Sequence, residues 1–459
     1  MQRRIRPVAA PVTAVRFAAA AMLLGFTMTA CDTDEILTVD DVDVPTTGSL
    51  TTKQNLPILL AGAVGDFEAG YQGSGLDVFS GIINTSGLLS DEIRSTDTPP
   101  ERNQVDQRSV TLVNNLNLQV FFRVSRARQS ADFIARKYAE LDPTNVNRAL
   151  ALALSGFATV LLGETYCSGV PFSSIDDAGV ITYGQPLPTD QIWPLAIGRF
   201  DEALATPGIT AQFRNLAAIG KGRALLNGNQ FAQAAAAVAA VPAGFTYLIE
   251  SSATTTRQNN GVWFNFIEQR RLSVPNREGT NGLNYREGAD PRVPFASGGI
   301  GFDNLTPQFR QTKYPARDSD TPLATSAEAR LIEAEAALRQ ATPDIPLFLA
   351  KLNAARAEFP GLAPLTLADI PATQPARVDL LFRERAFALW LTAHRLGDLR
   401  RLIRQHTRTA AQVFPTGTWT KGPDAAPATS APYGPDVNLP VPQAEENNPN
   451  FTGCINRDA

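Results

Sequence analysis

Apolar residues recur at helical spacing in paired stretches joined by short turns. Helices patterned this way must cover their apolar sides on neighbouring pairs. From Leu150, the positions Leu154, Phe157 and Leu161 fall on one face before a stop near Gly163 and a turn at Gly169-Val170-Pro171. A second pair runs from Leu216 to Leu226, breaks at Asn227-Gly228-Asn229, and resumes with Phe231, Ala234, Val238 and Val241 before Pro242. A third opens at Thr325, whose hydroxyl can cap a helix, with Glu328 three residues on to close a capping box. Ala327, Leu331, Ala334 and Leu338 line that helix; after the turn at Ala341-Thr342-Pro343-Asp344, Phe348, Leu352, Ala355 and Phe359 line the next.

In the second pair, Gly220, Gly222, Ala224, Ala234 and Ala235 let two helices approach closely, and Phe231 followed by Ala234 fits the seat between helices of a tetratricopeptide unit. The expected fold is all-α, tetratricopeptide-like stacked helix pairs with long irregular loop insertions. The main insertion, about residues 250–322, is rich in Gly, Asn, Arg, Pro and Ser, a texture in which helices do not persist. The stretch from Tyr71 to Val110 is similarly polar and glycine-rich. Long irregular segments on a rigid scaffold commonly carry binding groups. Trp263, Phe264 and Tyr285 in the insertion, with Phe79, are the candidate stacking residues for a ligand; the alternative is that they cover an edge of the core.

The first thirty residues carry Arg3, Arg4, Arg6 and Arg16, no acid, and an apolar stretch from Phe17 to Phe26 that ends in Met28-Thr29-Ala30-Cys31. An apolar core this short falls below the about 20 residues a membrane-spanning helix needs, so residues 1–30 are expected to be a secretion signal. Cleavage before Cys31 would expose a thiol for acylation and a lipid anchor, where an ordinary secreted protein would leave Cys31 incidental. The acidic stretch that follows, residues 31–50, includes Asp32, Asp34, Glu35, Asp40, Asp41 and Asp43 and reads as a solvated flexible tether. Asp32 directly after the lipidated position leaves open which membrane holds the protein.

Removing the four signal arginines from 41 basic residues leaves 37 against 45 acidic ones, a mature formal charge near −8 that argues against nucleic acid as a partner. Beyond Cys31 only Cys167 and Cys454 remain. An oxidising compartment permits them to pair across roughly three hundred residues, and two unpaired thiols are the alternative.

The most specific segment is Glu384-Arg385-Ala386-Phe387-Ala388-Leu389-Trp390-Leu391-Thr392-Ala393-His394-Arg395-Leu396-Gly397-Asp398-Leu399-Arg400-Arg401. Its Glu-Arg, His-Arg and Asp-Leu-Arg-Arg elements resemble the C-terminal signature of the SusD/RagB family. Ala388 and Thr392 replace two family glutamates, and Leu396-Gly397 replaces a Trp-Phe pair. The resemblance extends to Glu328-Ala329-Arg330-Leu331, to Leu352-Asn353-Ala354-Ala355-Arg356, to Leu439-Pro440-Val441-Pro442-Gln443 and, more loosely, to Gly87-Leu88-Leu89-Ser90-Asp91-Glu92. It implies one SusD-like helical domain over residues 51–459, with an N-terminal part to about 250, the insertion to about 322 and the signature region from about 323. It further implies a non-catalytic lipoprotein of the outer membrane, surface-exposed by its family role, that binds an oligosaccharide or peptide beside a TonB-dependent, SusC-like transporter.

Charged groups in the signature invite a catalytic reading. Glu384, Arg385, His394, Arg395 and Asp398 are expected instead to form a structural ion-pair network on one amphipathic helix, with Arg395 and Asp398 at the i, i+3 spacing that permits contact. His394 and His406 lie twelve residues apart, outside any His-Glu-x-x-His arrangement, so neither a metal site nor a cofactor is expected. No nucleophile elbow or phosphate-binding loop is present. Two other functions remain open: a secreted hydrolase, and a helical-repeat scaffold of an envelope assembly machine.

Overall fold

The order of helices follows from the apolar periodicity, and Asn114, Thr210, Thr325, Asp344 and Thr373 cap the starts of five of them. A computed structural model describes residues 51–76, 81–421 and 430–459. The signal, the tether, Cys31 and Phe79 lie outside these residues. Within residues 51–459, which form one unit, the helices are α1 (Leu56–Tyr71), α2 (Ile82–Leu89), α3 (Pro100–Asp106), α4 (Asn115–Leu141), α5 (Asn147–Thr165) and α6 (Thr189–Leu204). They continue with α7 (Ala211–Asn227), α8 (Phe231–Val238), α9 (Ser326–Leu338), α10 (Ile345–Arg356), α11 (Gln374–Ala388) and α12 (Arg395–His406). Successive helices stack: α1 on α4, α4 on α5, α5 on α6, α6 on α7, α7 on α8, α8 on α9, and α9 on α10 and α11.

The small residues act as the spacing suggests. A Cβ on Gly220 would lie 2.4 Å from the Phe200 ring and 2.9 Å from Phe157, so α7 can approach α5 and α6 only without a side chain there. One on Gly222 would lie 2.6 Å from Val238 of α8. The turn between α7 and α8 places Asn229 at φ 64°, a left-handed position that Asn tolerates better than most residues. Helix α5 is long and apolar enough by composition to cross a membrane, yet 94% of its apolar window is buried, so it is the centre of the core.

At Thr325 the hydroxyl accepts the Glu328 N–H at 3.2 Å, as expected of a cap. The capping box does not close, because the Glu328 carboxylate turns instead to His394, with Oε1 3.0 Å from Nε2. Phe359 lies beyond the end of α10.

Residues 250–322 are more ordered than their composition suggests. Their base is closed by an antiparallel ladder of Thr246–Ile249 with Thr321–Thr325, and the longest hairpin among the described residues pairs Phe295–Ile300 with Pro307–Gln311. A helical turn at Gly261–Trp263 also persists, because the Asn260 side chain caps it by accepting the Trp263 N–H at 2.9 Å, and a five-residue π-turn follows. Between Tyr71 and Val110, α2 and α3 likewise replace an expected irregular stretch.

Candidate functional site

The C-terminal signature is not one helix. Residues 389–394 form a non-helical link between α11 and α12, with Leu391 at φ 55° and Ala393 at φ 60°. Left-handed backbone at residues bearing a Cβ costs about 1–2 kcal/mol each, and the link persists because distant side chains bind its peptide groups. The carbonyl of Trp390 accepts from Lys313, that of Leu391 from Tyr314 at 3.0 Å, that of Thr392 from Tyr71 at 3.1 Å, and that of Ala393 from Arg223 at 2.8 Å. The Leu391 N–H donates to Glu92 at 2.9 Å, and the Thr392 hydroxyl donates to the Leu389 carbonyl. A cavity of about 190 Å³ borders this link, lined in part by Lys313, Glu328, Thr392 and His394.

The break also rearranges the ion pairs. Arg395 does not meet Asp398; it grips Asp91, with Nε and Nη2 donating at 2.6 and 3.0 Å. Asp398 accepts from Arg385 at 2.8 and 3.0 Å and from Arg401 at 2.9 Å. Glu384 pairs with Arg292 of the insertion at 2.6 Å and with Arg356 at 2.8 Å. Thus the network joins the N-terminal Asp91-Glu92, the insertion and the signature. Burial pushes the Asp398 carboxyl up, but Arg385 and Arg401 outweigh it and hold it below the usual carboxylate range.

Glu92 shows the opposite balance. Burial raises its carboxyl to about 8, against the lowering effect of the Leu391 N–H and of Lys313, whose own ammonium burial lowers to about 8. An unfolded Glu releases its proton near 4.5, whereas the folded one holds it until about 8. Stability is therefore expected to fall as pH rises from about 4.5 to about 8, with the Lys313 contribution confined to higher pH. Glu92→Gln keeps an acceptor for Leu391 and removes the titration. Thermal melts should show the variant level with wild type near pH 5 and more stable by on the order of 1–3 kcal/mol at pH 8. Parallel pH profiles for the two proteins would count against this.

The proposed stacking residues require correction. Trp263 is 8% exposed, with the Arg317 guanidinium 5.6 Å from its ring centroid, and Tyr285 is 1% exposed and stacks on Phe387 with centroids 5.3 Å apart. Both are buried, Tyr285 because its part of the insertion folds back on Phe387 of α11. Phe264 is half-buried. His394 and His406 face Glu328 and Glu335, and no group of His, Cys, Asp and Glu among the described residues could hold a metal. Cys167 and Cys454 are joined as a disulfide.

A cleft of about 610 Å³ opens between α4, α5 and α6. Helix α4 presents Arg128, Asp132 and Arg136 at i, i+4 and i+8, which places them on one stripe. Arg148 and Thr159 come from α5, Arg199 and Glu202 from α6, and Phe172 and Ser174 from the loop after α5. Pro194 interrupts the hydrogen bonding of α6 at the cleft wall. Asp132 is bound by Arg128 at 3.0 Å, Arg199 at 2.9 Å and the Ser155 hydroxyl at 2.7 Å. Glu202 is bound by Arg199 at 3.1 Å and Arg148 at 3.3 Å. Neither carboxylate has the apolar surroundings that make a general acid. Sequence reading overlooked this cleft, although the charged stripe of α4 is visible in the order of residues.

No family model matches the chain, and no curated protein matches it. Solved structures do. A SusD-like carbohydrate binding protein from Bacteroides vulgatus is 16% identical, with 87% of this chain and 97% of that one covered at a TM-score of 0.60. A SusD superfamily protein from Parabacteroides distasonis is 14% identical over 87% and 98% of the two chains, at 0.64. Another, from Bacteroides thetaiotaomicron, is 13% identical over 88% and 100%, at 0.61. The chain therefore has the SusD-like helical fold.

Proposed function

We propose that the protein is a SusD/RagB-type lipoprotein that binds a nutrient without altering it. Anchored through Cys31 in an outer membrane, it works beside a TonB-dependent transporter. The observation that carries this reading is the SusD-like fold, shared over 87% of the chain with a protein described as carbohydrate binding. The cleft between α4, α5 and α6 supports it, since its volume lies within the about 300–1,000 Å³ usual for small-ligand sites. Its two carboxylates are engaged by arginines, an arrangement suited to holding polar ligands more than to proton transfer.

Cys31→Ser is expected to move the protein from the membrane to the soluble fraction, and wild-type protein purified in mild detergent should bring a TonB-dependent transporter with it. Incubated with oligosaccharides, it should return them intact by chromatography. Membrane fractionation unchanged by Cys31→Ser would overturn the anchor; product formation at enzymatic rates would overturn the binding role.

A further inference from the structure

We infer that the cleft between α4, α5 and α6 selects an oligosaccharide bearing carboxylates, such as a uronic-acid oligomer; this rests on the nutrient-binding reading and specifies its ligand. Four guanidinium groups, those of Arg128, Arg136, Arg148 and Arg199, face two carboxylates, Asp132 and Glu202, a formal surplus of two positive charges. The whole chain carries a formal charge of −4, so this surplus is local and opposite in sign.

The placement of the charges matters more than their number. Arg128 and Arg199 are both committed to Asp132, and Arg199 also to Glu202, which fixes the inner wall. Arg136 is exposed and, among the described residues, has no carboxylate partner; its guanidinium donates to the Ile175 carbonyl at 3.3 Å. The Arg148 side chain is partly exposed and reaches Glu202 through Nη2 at 3.3 Å. A ligand carboxylate can therefore be met by Arg136 and Arg148 without displacing an existing pair.

Saccharide fits this cleft better than peptide. Its walls are mainly helices whose backbone groups bond internally, and the short strand that reaches it, Ser174–Ile175, is already paired with Ile181–Thr182 and has its Ile175 carbonyl taken by Gln129 and Arg136, so an extended peptide would find little edge for its own N–H and C=O groups. Sugar hydroxyls need side-chain partners, and the lining supplies Gln129 and Ser174 beside the arginines, with the Gln129 Nε2 held by the Ile175 carbonyl at 3.2 Å. Phe172, half-buried with the Arg128 guanidinium 5.3 Å from its ring centroid, adds an apolar surface.

Calorimetric titration of the full-length protein in detergent against trigalacturonate, maltotriose and triglutamate tests this. Trigalacturonate should bind, and its affinity should fall as salt rises from low to high ionic strength. Arg136→Gln should weaken it about tenfold, and Arg136→Lys less. Circular dichroism should be unchanged in both variants, since Arg136 is exposed. Equal binding of maltotriose would overturn the selectivity while leaving nutrient binding intact, and binding of triglutamate alone would overturn the saccharide. Trigalacturonate binding unaffected by Arg136→Gln together with Arg148→Gln would overturn the location. If none of the three binds, the inference fails; transporter association then decides separately whether the nutrient-uptake reading survives.

Discussion

Asp398→Ala is expected to lower the free energy of unfolding at neutral pH by about 3–5 kcal/mol, because it leaves buried guanidinium charge without its partner. Asp398 is bound by Arg385 through two hydrogen bonds and by Arg401 through one. Arg401 retains Glu335 at 2.6 Å after the substitution, whereas Arg385 has no second ion pair among the described residues. The loss therefore falls mainly on Arg385, whose side chain is 2% exposed and so is barely reached by water. Because the folded carboxyl is held below its ordinary value, its stabilising contribution is present above the unfolded value of 3.8 and fades as pH falls through the folded one. Urea titrations should show a wide gap between variant and wild type at pH 7 that narrows in acid. A gap below about 1 kcal/mol at pH 7 would mean that water or rearranged side chains take the place of Asp398.

How far this network could be read from sequence depends on distance along the chain. The helix pairs were legible because apolar period and turn residues are local: Leu154, Phe157 and Leu161 are buried in α5, and Ala327, Leu331, Ala334 and Leu338 in α9. Glu384, Arg385, His394, Arg395 and Asp398 are all buried, but their partners were not legible. The i, i+3 rule offered Asp398 to Arg395, and the fold gave Arg395 to Asp91, 304 positions away. No local rule predicts that, nor the link at residues 389–394, which is held by Tyr71, Arg223, Lys313 and Tyr314 from three other parts of the chain. Trp263 and Tyr285 misled for a related reason. Gly- and Asn-rich surroundings suggested exposed loops, while ladders and hairpins fold the insertion onto the core. The cleft was half legible: the stripe of Arg128, Asp132 and Arg136 is a sequence feature, but its walls on α5 and α6 are tertiary.

Cys454→Ser is expected to destabilise the protein by about 2–4 kcal/mol, since the bond it removes restrains an unfolded chain over a sequence separation of 287 residues. The bond also fixes a particular contact. The C-terminal segment runs past the end of α5, where Leu439 donates to the Thr165 carbonyl and accepts from the Cys167 N–H, both at 2.9 Å, and Ile455 donates to the Ser168 carbonyl at 2.8 Å. The Arg400 guanidinium donates to the Gly163 and Tyr166 carbonyls at 2.9 and 3.0 Å, so the same end of α5 is also bound to α12. These bonds hold the tail locally, and the disulfide makes its detachment covalently impossible. Cys167→Ser should therefore cost nearly as much as Cys454→Ser, and the double variant no more than either. Hydrogen exchange at position 167 and at Ile455 should accelerate in all three variants ahead of global unfolding. A non-reducing peptide map should join the segments around Cys167 and Cys454. Two thiols that alkylate freely without reductant, or a urea midpoint unchanged by reduction, would refute the restraint.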